Sequence, residues 1–311
     1  MNPNRDYLLA LLRGEEDVFI ALLETKKLKE KYFGNFVETC GILNTKSGHC
    51  PSDCKFCAQS KHWSAKINTY PLLEEKKILA AAEKAYEAGV NRFSLVTSGV
   101  RLSRQEFKQI LKVIEAIKKT LPGLKLCASL GQLGYEELKA LKEAGLSRYH
   151  HNLETAESFY PYICSTQNWQ DRLKTAERVK EIGLSLCCGG IFGLGETAEQ
   201  VIELGETLHN LAPDSIPINF LHPIPGTPLE KASFLTPTKA LAILAVLRFL
   251  LPDKEIRVCG GREYNLRDLQ ALLLLPSNAL MVGNYLTTSG RKLSDDSQMI
   301  KDLGFKSSLK I

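Results

Sequence analysis

The sequence predicts an α/β fold, a closed (β/α)8 barrel of the TIM type, because helical and β-type segments alternate along almost the whole chain. Three segments, residues 86–99, 142–155 and 180–193, repeat one pattern in which a helix ends and a short apolar run follows. Each has a glycine (Gly89, Gly145 or Gly183) where a helix C-terminus favours a left-handed residue. The whole chain offers about eight strand candidates, which favours a closed barrel over an open doubly wound sheet.

The remaining elements follow in order along the chain. Further strand candidates lie at residues 36–42, 124–129, 215–220, 255–259 and 279–283. Helices are predicted to begin at two capping boxes, Ser103 to Glu106 and Thr197 to Gln200, and at Thr236, which precedes a proline. No proline- or serine-rich linker interrupts this pattern. We therefore expect a single domain over residues 1–311, with a core at about 36–300 and short N- and C-terminal extensions.

Composition and charge exclude several classes of protein. The chain is 44% hydrophobic and 24% charged, and its formal net charge of +5 is too small to indicate a nucleic-acid partner. No apolar run approaches the roughly 18 residues of a membrane span, and the N-terminal residues do not resemble a secretory signal. We therefore expect a cytoplasmic protein with no membrane partner. In that reducing compartment, nine cysteines are more typical of metal binding or catalysis than of disulfides.

Side-chain alternation along the predicted strands places an unusual set of residues inside the barrel. Successive residues of a strand point alternately to the lumen and to the helix layer. The aliphatic residues suit the helix layer, which leaves a polar and sulfur-bearing set for the lumen: Arg92, Ser94, Cys127, Ser129, His150, Asn152, Glu154, Ser215, Asn219, Arg257 and Cys259. An ordinary barrel interior holds branched aliphatic residues. We therefore expect this lumen to be a functional site.

A C-x3-C-x2-C run, formed by Cys50, Cys54 and Cys57, directly follows the first predicted strand. This first βα turn lacks the G-x-G-x-x-G pattern of a dinucleotide site and lies at the barrel face where active sites form. Three thiolates can bind three irons of a 4Fe–4S cluster and leave the fourth iron open to a small chelating ligand. The alternatives are a zinc site that borrows His49 or His62, or thiols without a function.

The cysteine spacing resembles that of the radical S-adenosylmethionine (SAM) enzymes, and longer segments resemble the biotin synthase family. These segments are residues 48–60, 149–155, 188–197, 217–228 and 257–263, within a resemblance that spans about 36–300. The resemblance implies that the three cysteines hold a 4Fe–4S cluster, that its open iron binds SAM, and that an electron from it cleaves SAM to a 5′-deoxyadenosyl radical. The implied SAM contacts are Phe56, Asn152, Glu154, Gly190 and Ile191. The implied substrate contacts are Asn152, Asn219 and His150.

The resemblance also implies a reaction and its partners. Enzymes of this family insert sulfur between C6 and C9 of dethiobiotin to give biotin. Both carbons are unactivated, so two SAM molecules are cleaved per turnover, and the sulfur comes from an auxiliary iron–sulfur cluster deeper in the barrel. An electron donor of the flavodoxin or ferredoxin type, iron–sulfur assembly proteins and a second copy of the chain in a homodimer are the implied protein partners.

The chain departs from the family pattern at the auxiliary cluster, which the family holds as 2Fe–2S with three cysteines and an arginine. The positions that match are Cys127, Cys187 and Arg257. Ser94 stands in place of the remaining cysteine, and a serine hydroxyl is a poor iron ligand beside a thiolate. Two extra cysteines, Cys40 and Cys259, stand where the family usually has serine. The usual ligand set is therefore broken.

Alternate strands of a barrel contribute inward side chains to a common layer, and four lumenal cysteines come from the first, third, fifth and seventh strands. They are Cys40, Cys127, Cys187 and Cys259. We expect them to hold an auxiliary cluster of the four-iron type in preference to 2Fe–2S. Arg257, Arg92 and Ser94 are then expected to surround the cluster without binding iron.

Two further cysteines are expected to lie outside the clusters. Cys188 is expected on the opposite strand face from its neighbour Cys187, and Cys164 is expected to be a small buried hydrophobic residue rather than a ligand. Three alternative functions stay open. These are a radical SAM mutase- or maturase-like enzyme acting on another small molecule, a non-catalytic iron–sulfur carrier, and a chain that has lost its second cluster.

Overall fold

The predicted barrel is confirmed by the computed structural model of the chain, which describes residues 3–310. Among these residues, nine parallel β segments form one closed sheet. They are β1 (Glu38–Lys46), β2 (Arg92–Thr97), β3 (Lys125–Ser129), β4 (Arg148–His150), β5 (Ser185–Cys187), β6 (Gly190–Phe192), β7 (Ser215–Phe220), β8 (Glu255–Val258) and β9 (Ala279–Met281). Because β5 and β6 both pair with β7, they are two halves of the fifth barrel strand. The sheet therefore has the eight positions of a (β/α)8 barrel.

Helices surround this sheet. They are α1 (Arg5–Arg13), α2 (Val18–Phe33), α3 (Glu75–Glu87), α4 (Arg104–Thr120), α5 (Tyr135–Glu143), α6 (Tyr160–Ile163), α7 (Trp169–Glu181), α8 (Ala198–Leu211), α9 (Pro237–Leu250), α10 (Arg262–Leu266) and α11 (Leu293–Asp302), with a 3-10 helix at Arg267–Leu274. α1 and α2 pack against α9 outside the barrel. Within residues 3–310, no helix combines the length and the apolar character of a membrane span.

The predicted helix boundaries are confirmed at the positions that carry capping chemistry. Ser103 Oγ accepts from the backbone N–H of Glu106, while the Glu106 carboxylate accepts from the backbone N–H of Ser103. Thr197 and Gln200 form the same reciprocal pair. The three glycines that were predicted to end helices have positive φ angles: Gly89 (79°), Gly145 (105°) and Gly183 (69°). Local side-chain chemistry therefore fixes where these helices begin and end.

Strand lengths differ from the prediction in two places. The first strand was expected at residues 36–42, but β1 extends to Lys46 because its ladder with β2 continues past Asn44. β4 is short and ends at His150, yet the chain beyond it still follows the fifth strand, since His151 N–H donates to the Cys187 carbonyl at 2.9 Å. Leu153 N–H donates in the same way to the Gly189 carbonyl. The polar segment after β4 is therefore held against the fifth strand.

Glycines occupy positions 189 and 190, where the fifth strand is interrupted. Neighbouring backbone lies too close to Gly189 and Gly190 for either to carry a side chain. A Cβ atom on Gly189 would lie 2.1 Å from the Pro217 carbonyl oxygen, and one on Gly190 would lie 2.5 Å from the Glu154 carbonyl oxygen. The same carbonyl accepts a 2.7 Å hydrogen bond from Ile191 N–H. The close approach of the Glu154 backbone to Gly190 holds the residues after β4 against the fifth strand.

A buried ionic network lies at the floor of the barrel, where Arg148, Ser215 and Glu255 begin β4, β7 and β8. The Glu255 carboxylate accepts from Arg148 Nη1 at 2.9 Å, from Ser215 Oγ at 2.6 Å and from Arg257 Nη2. Burial alone raises the pKa of the Glu255 carboxyl. The positive charges of Arg257 and Arg148 lower it by more, and the resulting pKa is about 2. One ionised carboxylate is therefore held between two guanidinium groups.

Replacing Glu255 by Gln is expected to lower the free energy of unfolding of the metal-free protein by about 3–5 kcal/mol, because two buried guanidinium groups lose their counter-charge. Urea denaturation followed by circular dichroism measures this change. Asp253→Asn is the matched control, because the Asp253 side chain is 53% exposed and pairs only with its neighbour Lys254. Its loss is expected to cost less than about 1 kcal/mol. Equal losses in the two variants would contradict the network.

Replacing Gly190 by Ala is expected to lower the free energy of unfolding by about 1–3 kcal/mol, because the new methyl group must displace the backbone at Glu154. Gly41→Ala, also within a strand, is the control, since its Cβ would meet the Val90 side chain at an ordinary 3.6 Å. The midpoints of urea unfolding of the two variants are compared. Midpoints that shift equally would show that the close approach at Gly190 is not a constraint.

Candidate active site inside the barrel

A cavity of about 360 Å³ lies inside the barrel, a size typical of small-molecule sites. Nine of the lumenal residues predicted from alternation line it: Ser94, Cys127, Ser129, His150, Asn152, Glu154, Asn219, Arg257 and Cys259. Ser215 does not line the cavity and belongs to the floor network. Arg92 also lies outside the lining, where its guanidinium donates to Ser147 Oγ at 2.9 Å and pairs with Glu38.

The cysteines of the C-x3-C-x2-C run lie in the loop after β1, and all three line the cavity. Backbone hydrogen bonds shape the loop, with Cys50 N–H donating to the Gln59 carbonyl at 2.9 Å and Cys57 N–H donating to the Cys54 carbonyl at 3.0 Å. Trp63 Nε1 also donates to the Cys54 carbonyl, at 2.9 Å. Three free thiols are thus presented to one cavity by a loop with a defined backbone.

The two histidines considered as zinc ligands do not join these cysteines at the cavity. His49 and His62 are both exposed, and neither lines the cavity. The His62 ring instead contacts the Pro51 carbonyl oxygen at 2.9 Å. Within residues 3–310, no group of three or more His, Cys, Asp or Glu side chains is arranged to hold a single metal ion.

Arg172 of α7 organises the polar wall formed by the residues after β4. Its Nε donates to the Asn152 carbonyl at 2.7 Å, and its Nη2 pairs with Glu154 Oε1 at 2.5 Å. The Asn152 side chain accepts from Gly189 N–H at 3.1 Å, which couples this wall to the interrupted strand. Glu154 has a φ of +72°, which is uncommon for a residue with a side chain. Arg172 was not among the predicted site residues, because a helix position gives no sign of contact with the lumen.

The remaining predicted SAM contacts lie around this wall. Phe56 and Ile191 line the cavity. Gly190 does not line the cavity, and its carbonyl accepts from Asn219 Nδ2 at 3.3 Å. The Asn219 side-chain oxygen accepts from Gly260 N–H at 3.2 Å, so Asn219 joins β7 to the loop after β8.

Four more thiols line the inner part of the cavity, three on strands and one, Cys259, directly after β8, which ends one residue before the predicted strand end. They are Cys40, Cys127, Cys187 and Cys259, each at most 2% exposed and each free of a disulfide. Ser94 pairs with Cys127 in the β2–β3 register, so the serine that replaces the expected cysteine lies beside a retained one. The sequence-based expectation that these four thiols share one interior space agrees with their placement.

The electrostatic surroundings of these thiols are unequal. Burial alone raises the pKa of the Cys187 thiol. His150 and Arg257 lower it by more, and the resulting pKa is about 7. The His150 Nδ1 atom lies 3.4 Å from the Cys187 sulfur. Burial and the neighbouring Cys187 thiolate raise the pKa of Cys127 to about 12. In the metal-free protein, Cys187 therefore forms a thiolate more readily than Cys127 does.

The donor set fits an iron–sulfur group. Thiolates are the usual ligands of such clusters, and four of them surround this part of the cavity. Arg257 is 2% exposed, and its Nε is a buried donor with no acceptor among the described residues. A buried N–H group of this kind needs an acceptor, which the sulfur atoms of a cluster would supply. Arg257 Nη2 is already occupied by Glu255.

The two cysteines expected to lie outside the clusters differ in their surroundings. Cys188 is fully buried and packs in the hydrophobic core, away from the cavity lining. Cys164 is also buried, as expected, but its Sγ lies 3.6 Å from the Sγ of Cys54. This contact was not predicted. Gln167 and Tyr285 also line the cavity without having been predicted, because they lie in loops whose path the sequence pattern does not fix.

Comparison with protein families gives two matches along the chain. Residues 44–208 match the radical SAM superfamily, and residues 217–306 match the biotin and thiamin synthesis associated domain. The chain is 47% identical to the biotin synthase of Carboxydothermus hydrogenoformans, over 97% of this chain and 94% of that protein. It is 46% identical to the biotin synthase of Geobacter sulfurreducens (95% and 90%) and 45% identical to that of Aquifex aeolicus (94% and 89%).

Solved structures share the fold at lower identity. A methylornithine synthase superposes with a TM-score of 0.84 at 21% identity, over 98% of this chain and 94% of that one. The FeFe-hydrogenase maturase of Carboxydothermus hydrogenoformans superposes with a TM-score of 0.80 at 18% identity, over 97% and 78%. At these identities the likeness concerns the fold alone. The family matches and the near-complete coverage at 45–47% identity show that the chain belongs to the biotin synthase family of radical SAM enzymes.

Proposed function

We propose that this chain converts dethiobiotin to biotin by inserting one sulfur atom between C6 and C9. Membership of the biotin synthase family supports this reaction. The observation that carries it within this chain is a single cavity lined by three cysteines on the loop after β1, three on barrel strands and one directly after β8. The cysteines proposed for the radical-generating cluster and those proposed for the sulfur source therefore border one cavity.

Cys50, Cys54 and Cys57 hold the 4Fe–4S cluster in this proposal, with SAM beside them. When bound, the cluster and SAM supply hydrogen-atom abstraction from unactivated carbon. The chain's own contribution is to position SAM through Asn152 and Glu154, whose polar groups face the cavity and are held by Arg172. Phe56 and Ile191 give this site apolar walls, and the absence of a side chain at Gly190 lets the Glu154 backbone approach the fifth strand, which places Glu154 beside SAM.

Cys40, Cys127, Cys187 and Cys259 hold the auxiliary cluster in this proposal, with four irons favoured over two. Four thiolates complete a ligand set without arginine, and Ser94 is then not required to bind iron. The hydrogen bond from Arg257 Nη2 to the Glu255 carboxylate anchors the guanidinium beside the cavity, where it surrounds the cluster without binding iron. The free Nε of Arg257 donates to sulfur, and Arg92 adds positive charge from below.

His150 and Asn219 hold dethiobiotin between the two clusters. Both line the cavity, and the His150 ring already contacts Cys187 Sγ, so it lies beside the sulfur source. Asn219 presents an amide to the cavity, which matches the donor and acceptor groups of the ureido ring of dethiobiotin.

We further propose the setting in which this reaction takes place. The chain acts as a single domain over residues 1–311 in a reducing cytoplasm, since an open-site cluster is attacked by oxygen. A flavodoxin- or ferredoxin-type protein supplies electrons, iron–sulfur assembly proteins rebuild the auxiliary cluster, and the chain forms a homodimer. We expect no nucleic-acid or membrane partner.

Anaerobic incubation of the reconstituted protein with SAM, a reductant and dethiobiotin is expected to produce both biotin and 5′-deoxyadenosine, measured by mass spectrometry. Formation of 5′-deoxyadenosine without biotin would contradict the proposal and favour a mutase- or maturase-like reaction on another substrate.

Iron and sulfide analysis is expected to give about eight irons per chain, since each four-iron cluster contributes four. Triple replacement of Cys50, Cys54 and Cys57 by Ala is expected to leave about four, because the auxiliary cluster has its own ligands. Cys259→Ser is expected to remove auxiliary iron, whereas the control Cys188→Ser, at an equally buried thiol outside the cavity, is expected to retain it. About four irons in the unmodified protein, all lost in the triple variant, would rule out the second cluster.

A further inference from the structure

Cys164 is a thiol that the proposed reaction leaves without a role. It follows α6 and is 3% exposed, so its environment is defined by protein atoms rather than by water. Its Sγ lies 3.6 Å from Cys54 Sγ, within hydrogen-bonding distance for two sulfur atoms. When one of these two sulfur atoms carries a proton and the other does not, they form a hydrogen-bond donor and acceptor pair.

The segment that carries Cys164 is fastened to the cysteine loop. Asp53, which precedes Cys54, accepts from the backbone N–H groups of Ser165 at 3.0 Å and of Thr166 at 3.1 Å. Lys55 N–H donates to the Ile163 carbonyl at 3.0 Å. The two residues that flank Cys54 are therefore bonded to the segment on both sides of Cys164. The backbone separation of Cys54 and Cys164 is set by this frame.

The thiol proton of Cys164 has two acceptors within reach. In the metal-free protein the Cys164 thiol donates to Asp53 Oδ1 at 3.2 Å and accepts from the Cys54 thiol at 3.6 Å; once Cys54 loses its proton to bind iron, its sulfur becomes the second acceptor. Asp53 Oδ1 already accepts the two backbone N–H groups and Thr166 Oγ1 at 2.8 Å, which exceeds the two lone pairs of a carboxylate oxygen. Because Asp53 is saturated by shorter bonds, the Cys164 proton is available to Cys54 once Cys54 is a thiolate.

We propose that Cys164 is a positioning residue that donates its thiol hydrogen bond to the ligating sulfur of Cys54 and thereby raises the reduction potential of the 4Fe–4S cluster. Hydrogen bonds to cluster sulfur stabilise the reduced form, which carries more negative charge, and they are among the determinants of cluster potential. The inference rests on the proposed function in one respect, namely that Cys54 binds the cluster. It adds a fourth cysteine that tunes the cluster without being a ligand.

The test compares Cys164→Ala, which removes the donor, with Cys164→Ser, which retains a hydroxyl donor at the same position. The midpoint potential of the SAM-binding cluster is measured by anaerobic redox titration of reconstituted protein followed by electron paramagnetic resonance. The signal that changes on addition of SAM identifies this cluster and separates it from the auxiliary one. Cys188→Ala is the matched control, since it also removes a buried thiol but lies outside the cavity lining.

The midpoint potential of Cys164→Ala is expected to be more negative than that of the unmodified protein. At the unmodified midpoint, the ratio of reduced to oxidised cluster is expected to fall about threefold to tenfold, where tenfold corresponds to about 59 mV for one electron. Cys164→Ser is expected to restore most of the difference, and Cys188→Ala is expected to show no shift. An unchanged potential in Cys164→Ala, or equal shifts in the Ala and Ser variants, would overturn the proposal.

A second pair of variants covers the case in which the alanine cavity prevents cluster loading. Cys164→Thr and Cys164→Val have nearly the same shape and differ in one hydroxyl donor, so the valine variant is expected to have the lower potential. Equal potentials in this pair would overturn the proposal. Iron content and the SAM-dependent signal are recorded for each protein. If the unmodified protein lacked that signal, the cluster assignment itself would be wrong, whereas a normal signal with unchanged potentials would contradict only the role of Cys164.

Discussion

The buried Glu255 carboxylate sets the charge balance inside the barrel. It binds the guanidinium groups of Arg148 and Arg257, and two positive charges against one negative charge leave an excess positive charge beneath the cavity. Buried charge of this kind is costly unless a partner compensates it. The lumenal thiols lie directly above, and as thiolates they would supply that partner. The polar floor and the sulfur-lined cavity are therefore two parts of one electrostatic arrangement.

This arrangement also explains how the chain can differ from its family at the auxiliary cluster. Arg257 Nη2 is bound to Glu255, whereas its Nε has no hydrogen-bond partner among the described residues. The same side chain can then serve as a hydrogen-bond donor to sulfur. Ser94 stands where the family pattern has a cysteine, and it lies next to Cys127 across the β2–β3 ladder. The missing thiol therefore changes only this part of the lumen. In the proposed auxiliary cluster, Cys40 of β1 and Cys259 after β8 supply the replacement thiolates.

Much of the fold and of the lumen could be predicted from the sequence, because both follow from short-range rules. Helix ends at Gly89 and Ser103 depend on local chemistry, and the inward direction of Cys127 and Cys259 follows from the two-residue period of a strand. The two-residue period of a strand does not predict how far along the barrel axis a side chain lies. Arg92 was therefore expected at the cavity, although it lies below it. The Gly-rich segment was recognised, but its close approach to Glu154 depends on a neighbouring strand.

Other parts of the site depend on contacts between distant segments. Arg172 reaches Asn152 and Glu154 from a helix, and Cys164 reaches Cys54 across more than one hundred residues of sequence. No local pattern indicates either contact. Iron anomalous diffraction from anaerobic crystals of the reconstituted protein is the most direct measurement of the arrangement of these thiols. It is expected to show lumenal iron bonded to Cys40, Cys127, Cys187 and Cys259, with Arg257 still on Glu255. A lumen without iron, or iron bonded to a nitrogen of Arg257, would contradict this account.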